Sequence, residues 1–176
     1  MLRRIYILLT ALALSSCGAG NSVSTDASVD TQWPLDAQTE LGTNAQGLVS
    51  PDSFEAFADG QTADIVLGPQ GAWMLVVAMR TNGVPVGVPR ADVRASLTAE
   101  DGTLFGKFHY KRRPVSHMDD GWGYVMNLYL VVSSNVDIWN DMKATLTLSV
   151  GESDGTWYEE ATPLLLEQRI MEVTTP

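Results

Sequence analysis

The chain has 176 residues, 45% of them hydrophobic and 18% charged, and a formal net charge of -10. That length allows one domain plus a tail and is enough for a real core, whereas two full domains do not fit. The acidity argues against nucleic acid as a partner, because phosphate binding draws its affinity from clustered Lys and Arg, and it favours solubility and repulsion from anionic lipid.

The N-terminus is built for export. Arg3 and Arg4 form a positive region, Ile5 to Leu14 form an apolar run of about ten residues, and Ser15-Ser16 supply small side chains where a peptidase would cut. Such a segment reads as a signal peptide over residues 1–16; an N-terminal core helix is the alternative, and it would leave the two arginines unexplained. The apolar run is too short for a membrane span of roughly twenty residues, and the next best, Ala72 to Met79, is shorter still.

The string Leu14-Ser15-Ser16-Cys17 resembles the lipobox of bacterial lipoproteins, a Leu and two small residues before a Cys, with every position met. The resemblance implies diacylglycerol on the Cys17 sulfur, cleavage after Ser16, a fatty acyl chain such as palmitate on the new amino group, and anchorage to a membrane of the cell envelope. Gly18, in place of an Asp after the Cys, is similar to what lipoproteins sent to the outer membrane carry. Loss of Arg3 and Arg4 with the leader takes the charge from -10 to -12. Cys17 is the only cysteine, so an intrachain disulfide is impossible, and an unacylated thiol there would stand unpaired in an oxidising space. One acyl chain, at about 0.8 kcal/mol per buried methylene, holds only reversibly, and three hold essentially permanently.

From Gly18 to about Gly47 the residues are mostly Ser, Thr, Asn, Gly, Ala, Gln and Asp with no apolar period, so residues 17–58 are expected to be a lipidated Cys and a flexible tether. Trp33-Pro34-Leu35 inside it is a transient contact, a small anchor docked on the domain, or a partner motif. Ser50-Pro51 suggests a single helical turn before Asp59-Gly60.

Residues 59–176 change to short runs of Val, Leu, Thr and aromatics separated by Gly, Pro, Asn and Asp, which predicts an all-β domain, an immunoglobulin-like antiparallel sandwich of seven or eight strands. Thr62 to Leu67 and Ala72 to Thr81 flank Gly68-Pro69-Gln70-Gly71, a hairpin or corner, and the second is apolar on both faces, as a central strand should be. The Gly68-Pro69-Gln70-Gly71 string and the apolar residues after it resemble a segment of uncharacterised lipoproteins of myxobacteria, which implies no activity. Asn82 to Pro89 should be a loop. Val93, Ala95 and Leu97 alternate with Arg94, Ser96 and Thr98, and Asp101-Gly102 turns the chain into Thr103 to Tyr110, with Leu104, Phe108 and Tyr110 inward and Lys107, His109 and Lys111 outward. Arg112 to Gly121 reads as an irregular loop. Trp122 to Val132 reads as the longest strand, with Trp122, Tyr124, Met126, Leu128 and Leu130 on one face. After a polar loop from Ser133 to Met142, Ala144, Leu146, Leu148 and Val150 should point inward, and Pro163 should separate Trp157-Tyr158 from a last strand, Leu164 to Val173.

Two constellations could carry chemistry. Lys107, His109, Lys111, Arg112 and Arg113 form the basic patch of an acidic chain, suited to an anionic envelope polymer or lipid headgroup, or merely to keeping a strand edge from pairing. His109 and His117, near Asp119-Asp120, are the alternative, a metal-handling site, although the spacing matches no zinc helix or EF-hand. Trp139 and Trp157 could stack on a sugar ring or belong to an ordinary rim. Absent a nucleophile elbow, a phosphate loop or a separated carboxylate pair, the sequence points to a binding or structural module of the envelope, with no cofactor expected, rather than an enzyme.

Overall fold

The computed structural model describes residues 33–44, 50–132, 141–153 and 155–169. Ten strands lie among them: β1 (Thr39–Asn44), β2 (Phe54–Ala56), β3 (Gln61–Leu67), β4 (Trp73–Thr81), β5 (Arg90–Ala99), β6 (Leu104–Pro114), β7 (Ser116–His117), β8 (Gly123–Val131), β9 (Met142–Gly151) and β10 (Trp157–Arg169), with one 3-10 turn at Pro51–Ser53. The all-β expectation holds.

Hydrogen bonding runs through one curled sheet in the order β2-β1-β4-β3-β10-β9-β5-β6, with β8 and then β7 branching from β4. Every pair is antiparallel except β3 with β10, which is parallel, so the sheet is mixed where antiparallel pairing was expected throughout. β4 has β8 along one edge, while β3 pairs with its start and β1 with its end. The curl brings β6 back against β8. There the ladder gives way to side chains: the Tyr110 hydroxyl donates to the Tyr129 carbonyl at 3.1 Å, and the Arg113 guanidinium donates to the carbonyls of Met126 and Asn127.

The concave face holds one core, in which Leu75, Val77 and Met79 of β4 meet Val93 and Leu97 of β5 and Leu146, Leu148 and Val150 of β9. Each such side chain taken out of water contributes about 1.5–3 kcal/mol. The other face of β4 is also covered: Ala78 packs with Tyr124 and Met126 under Phe54 and Trp122, which explains a strand apolar on both sides. Arg80 lies over the Trp122 and Phe54 rings and is paired with Glu40 at 2.7 Å.

Several expectations are corrected, each by local backbone chemistry. The segment expected to be a tether over 17–58 already belongs to the domain from residue 33: β1 pairs with β4 and brings Leu41 into the core, β2 pairs with β1, and Trp33 is buried with its ring stacked on Tyr158. Polar residues hide β1 from pattern reading because its order comes from β4. Leu104 is exposed and Phe105 is buried, since an irregularity opposite Leu97 and Thr98 flips the pleat at the start of β6. In β8, Asn127 adopts φ 51° at a register shift, so Val125, Leu128 and Leu130 enter the main core while Tyr124 and Met126 face the other cluster.

Arg112 to Pro114 continue β6, and Ser116–His117 form β7, in place of a loop. The longest strand is β10, not β8, because it runs through Pro163. The Pro163 carbonyl accepts from the Gly60 N–H at 2.8 Å, so the missing N–H faces the edge where β3 has yet to begin at Gln61. The Gly68-Pro69-Gln70-Gly71 hairpin, the Asp101-Gly102 turn with Gly102 at φ 86°, and the inward set Ala144, Leu146, Leu148 and Val150 are as the sequence indicates. Residues 133–140 and 170–173, expected to be loop and strand, and Asp154 of the expected Asp154-Gly155 turn lie outside the described residues.

Candidate functional site

The convex face of β6, β5, β9 and β10 carries the site. Pairing sets His109 opposite Arg94, Arg94 opposite Ser149, and Ser149 opposite Glu159, one row across four strands. The next row on the same face is Lys107, Ser96 and Thr147. With strands about 4.8 Å apart and same-face residues about 7 Å apart along each, these side chains line a shallow groove. Its volume is about 650 Å³.

Trp157 stands beside the row, two residues before Glu159 on the same face of β10. It pairs with Gly151, where a Cβ would lie 2.9 Å from the indole, so the absent side chain is what lets the ring lie over β9. From there the indole supports the Arg94 guanidinium at 3.8 Å and meets the His109 ring edge-on at 6.3 Å.

Behind the row, Asp92 is a buried carboxylate with three partners. It accepts the Ser153 hydroxyl in a short hydrogen bond, accepts the Arg112 N–H at 2.9 Å, and lies 3.6 Å from His109 Nε2. The Ser153 hydroxyl first, then the Arg112 amide and His109, hold its carboxyl below the usual carboxylate range against the upward push of burial. A smaller hollow of about 350 Å³ adjoins it, lined by Arg90, Asp92 and Ser153.

Of the expected basic patch, Lys107, His109 and Lys111 face solvent from alternate positions of β6. Arg112 is exposed too, but its φ of 55° belongs to a bulge that sets it and Lys111 opposite Asp92. Arg113 leaves the patch. It turns into the seam beside Tyr110, where its Nε is buried with no partner among the described residues. Sequence reasoning missed Arg94, Ser149 and Glu159 as neighbours of the patch; the alternation of β5 and β9 marked which of their residues point outward, but only the strand order brings them together.

His109 and His117 have separate surroundings. His109 engages Asp92 and Trp157, whereas His117, on β7, has its Nε2 3.0 Å from the Val88 carbonyl. Among the described residues no three His, Cys, Asp or Glu side chains gather as metal ligands. Cys17 and Trp139 lie outside the described residues, among which no helix is long and apolar enough to cross a membrane.

Fold and site together define an all-β domain with an open, cation-lined groove on its convex face. No protein-family model matches the chain, and no curated protein matches it.

Proposed function

We propose that the chain is a lipid-anchored binding module of the bacterial cell envelope, held by acyl chains on Cys17 and presenting its β domain outward from the membrane, in an outer membrane by the Gly18 resemblance. The single observation that carries this reading is Leu14-Ser15-Ser16-Cys17 behind an Arg-led apolar run. Two features support it. The lone cysteine stands at the residue a lipobox would modify, and fifteen residues separate it from Trp33, a length that lets the domain stand no farther than about 50 Å from the bilayer. The groove is open and lined by the cations Arg94 and Lys107 beside the hydroxyls of Ser96 and Thr147, a lining that suits binding.

The test is metabolic labelling with palmitate and fractionation of cells expressing the full chain or its Cys17→Ala variant. The native chain should be labelled and sediment with membranes, and the variant should lose the label. Labelling and sedimentation that are the same in both would overturn the reading.

A further inference from the structure

We infer that the groove on the convex face of β5, β6, β9 and β10 binds an acidic saccharide, whose carboxylate is taken by Arg94 and Lys107; this deepens the binding role proposed above. Lys107 sits diagonally from Arg94 across an antiparallel pair, a separation of roughly 7–8 Å between side-chain origins. Two long cationic side chains that close can meet one carboxylate between them.

Both cations are available. The three ion pairs among the described residues join Arg80 to Glu40, His109 to Asp92 and Lys143 to Glu100, none of them using Arg94 or Lys107. The nearest carboxylates are engaged elsewhere: Asp92 with Ser153 and the Arg112 amide, and Glu159 with the Ser149 hydroxyl at 3.2 Å. Arg94 is also held in place before any ligand arrives, because its guanidinium lies 3.8 Å over the Trp157 ring.

The rest of the groove selects for sugar over a bare polyanion. Ser96 and Thr147 offer hydroxyls on the floor, able to donate to or accept from ring hydroxyls. Glu159 accepts hydroxyl hydrogens and repels a second negative charge set closer than one sugar unit from the first, which counts against polyphosphate. The groove is open and within the usual size of a ligand site, which suits one unit of a longer glycan.

The test is calorimetric titration of the full chain in detergent with oligogalacturonate, a neutral N-acetylglucosamine oligomer, polyphosphate and short-chain phosphatidylglycerol in mixed micelles. Oligogalacturonate should bind saturably and more weakly as salt rises. Arg94→Gln and Lys107→Gln should each weaken it at least tenfold, while Lys143→Gln, outside the groove, leaves it unchanged. Equal binding of the neutral oligomer, tighter binding of polyphosphate or phosphatidylglycerol, or isotherms indifferent to both groove variants would each overturn the inference. Binding is read whether or not Cys17 is acylated, so failure here is distinguishable from failure of the anchoring reading.

Discussion

Asn44 and Asn127, eighty-three positions apart, are joined by two reciprocal hydrogen bonds: the Asn44 amide donates to Asn127 Oδ1 at 2.7 Å, and the Asn127 backbone N–H donates to Asn44 Oδ1 at 3.2 Å. Both residues are buried, and the pair fixes the end of β1 to the bulge in β8. Asn44→Ala takes the acceptor from the buried Asn127 backbone N–H, so it should cost about 1–3 kcal/mol in urea unfolding. Asn127→Ala should cost more, because Ala tolerates φ 51° poorly. The double variant should fall short of the sum by at least about 0.5 kcal/mol, the coupling expected of direct contacts.

Trp33 tests where the domain begins. Its ring is 6% exposed and stacks on Tyr158, whose hydroxyl donates to the Pro34 carbonyl. Trp33→Ala in the full chain should lower stability by about 3–5 kcal/mol, read as a large drop in thermal midpoint. A midpoint unchanged by the substitution would restore the view that residues before 59 are only a tether.

The seam between β6 and β8 depends on Gly106. A Cβ there would lie 2.3 Å from the Val131 carbonyl oxygen, backbone that cannot yield as a side-chain tip can. Gly106→Ala should destabilise by about 1–3 kcal/mol, an overpacking effect, and should speed hydrogen exchange at β8 amides more than at those of β9.

Asp92 makes stability depend on pH. Its folded carboxyl titrates below the unfolded value, so its contribution is fully present above that value, about 3.9, and is lost as pH falls through the lower folded one. The stability gap between the native chain and Asp92→Asn should shrink as pH falls below about 4, where the carboxylate is protonated. A gap that widened in acid would contradict the Ser153, Arg112 and His109 partnership.

Regular alternation made much of this fold legible. Val93, Ala95 and Leu97, and Ala144 to Val150, point where a period of two puts them, and the Gly-containing turns fall between the right strands. Bulges hid the rest: Leu104 and the Trp122-to-Leu130 set change face where the backbone gains a residue, an event with no hydrophobic signature. β1 was invisible because a single apolar residue, Leu41, enters the core from it, its order being supplied by β4. For the site, Lys107 and His109 were readable as an outward pair. Arg94 joined them only through β5–β6 pairing, Ser149 and Glu159 only through β5–β9 and β9–β10 contacts, and Arg113 was lost to the seam by the left-handed turn at Arg112.

The anchoring claim is tested most directly by mass spectrometry of the N-terminal peptide of the protein taken from its own membranes. The account predicts a mature chain beginning at Cys17 with the mass of a diacylglyceryl group and an amide-linked acyl chain. An intact leader, or a mature start at any residue other than an acylated Cys17, would contradict it.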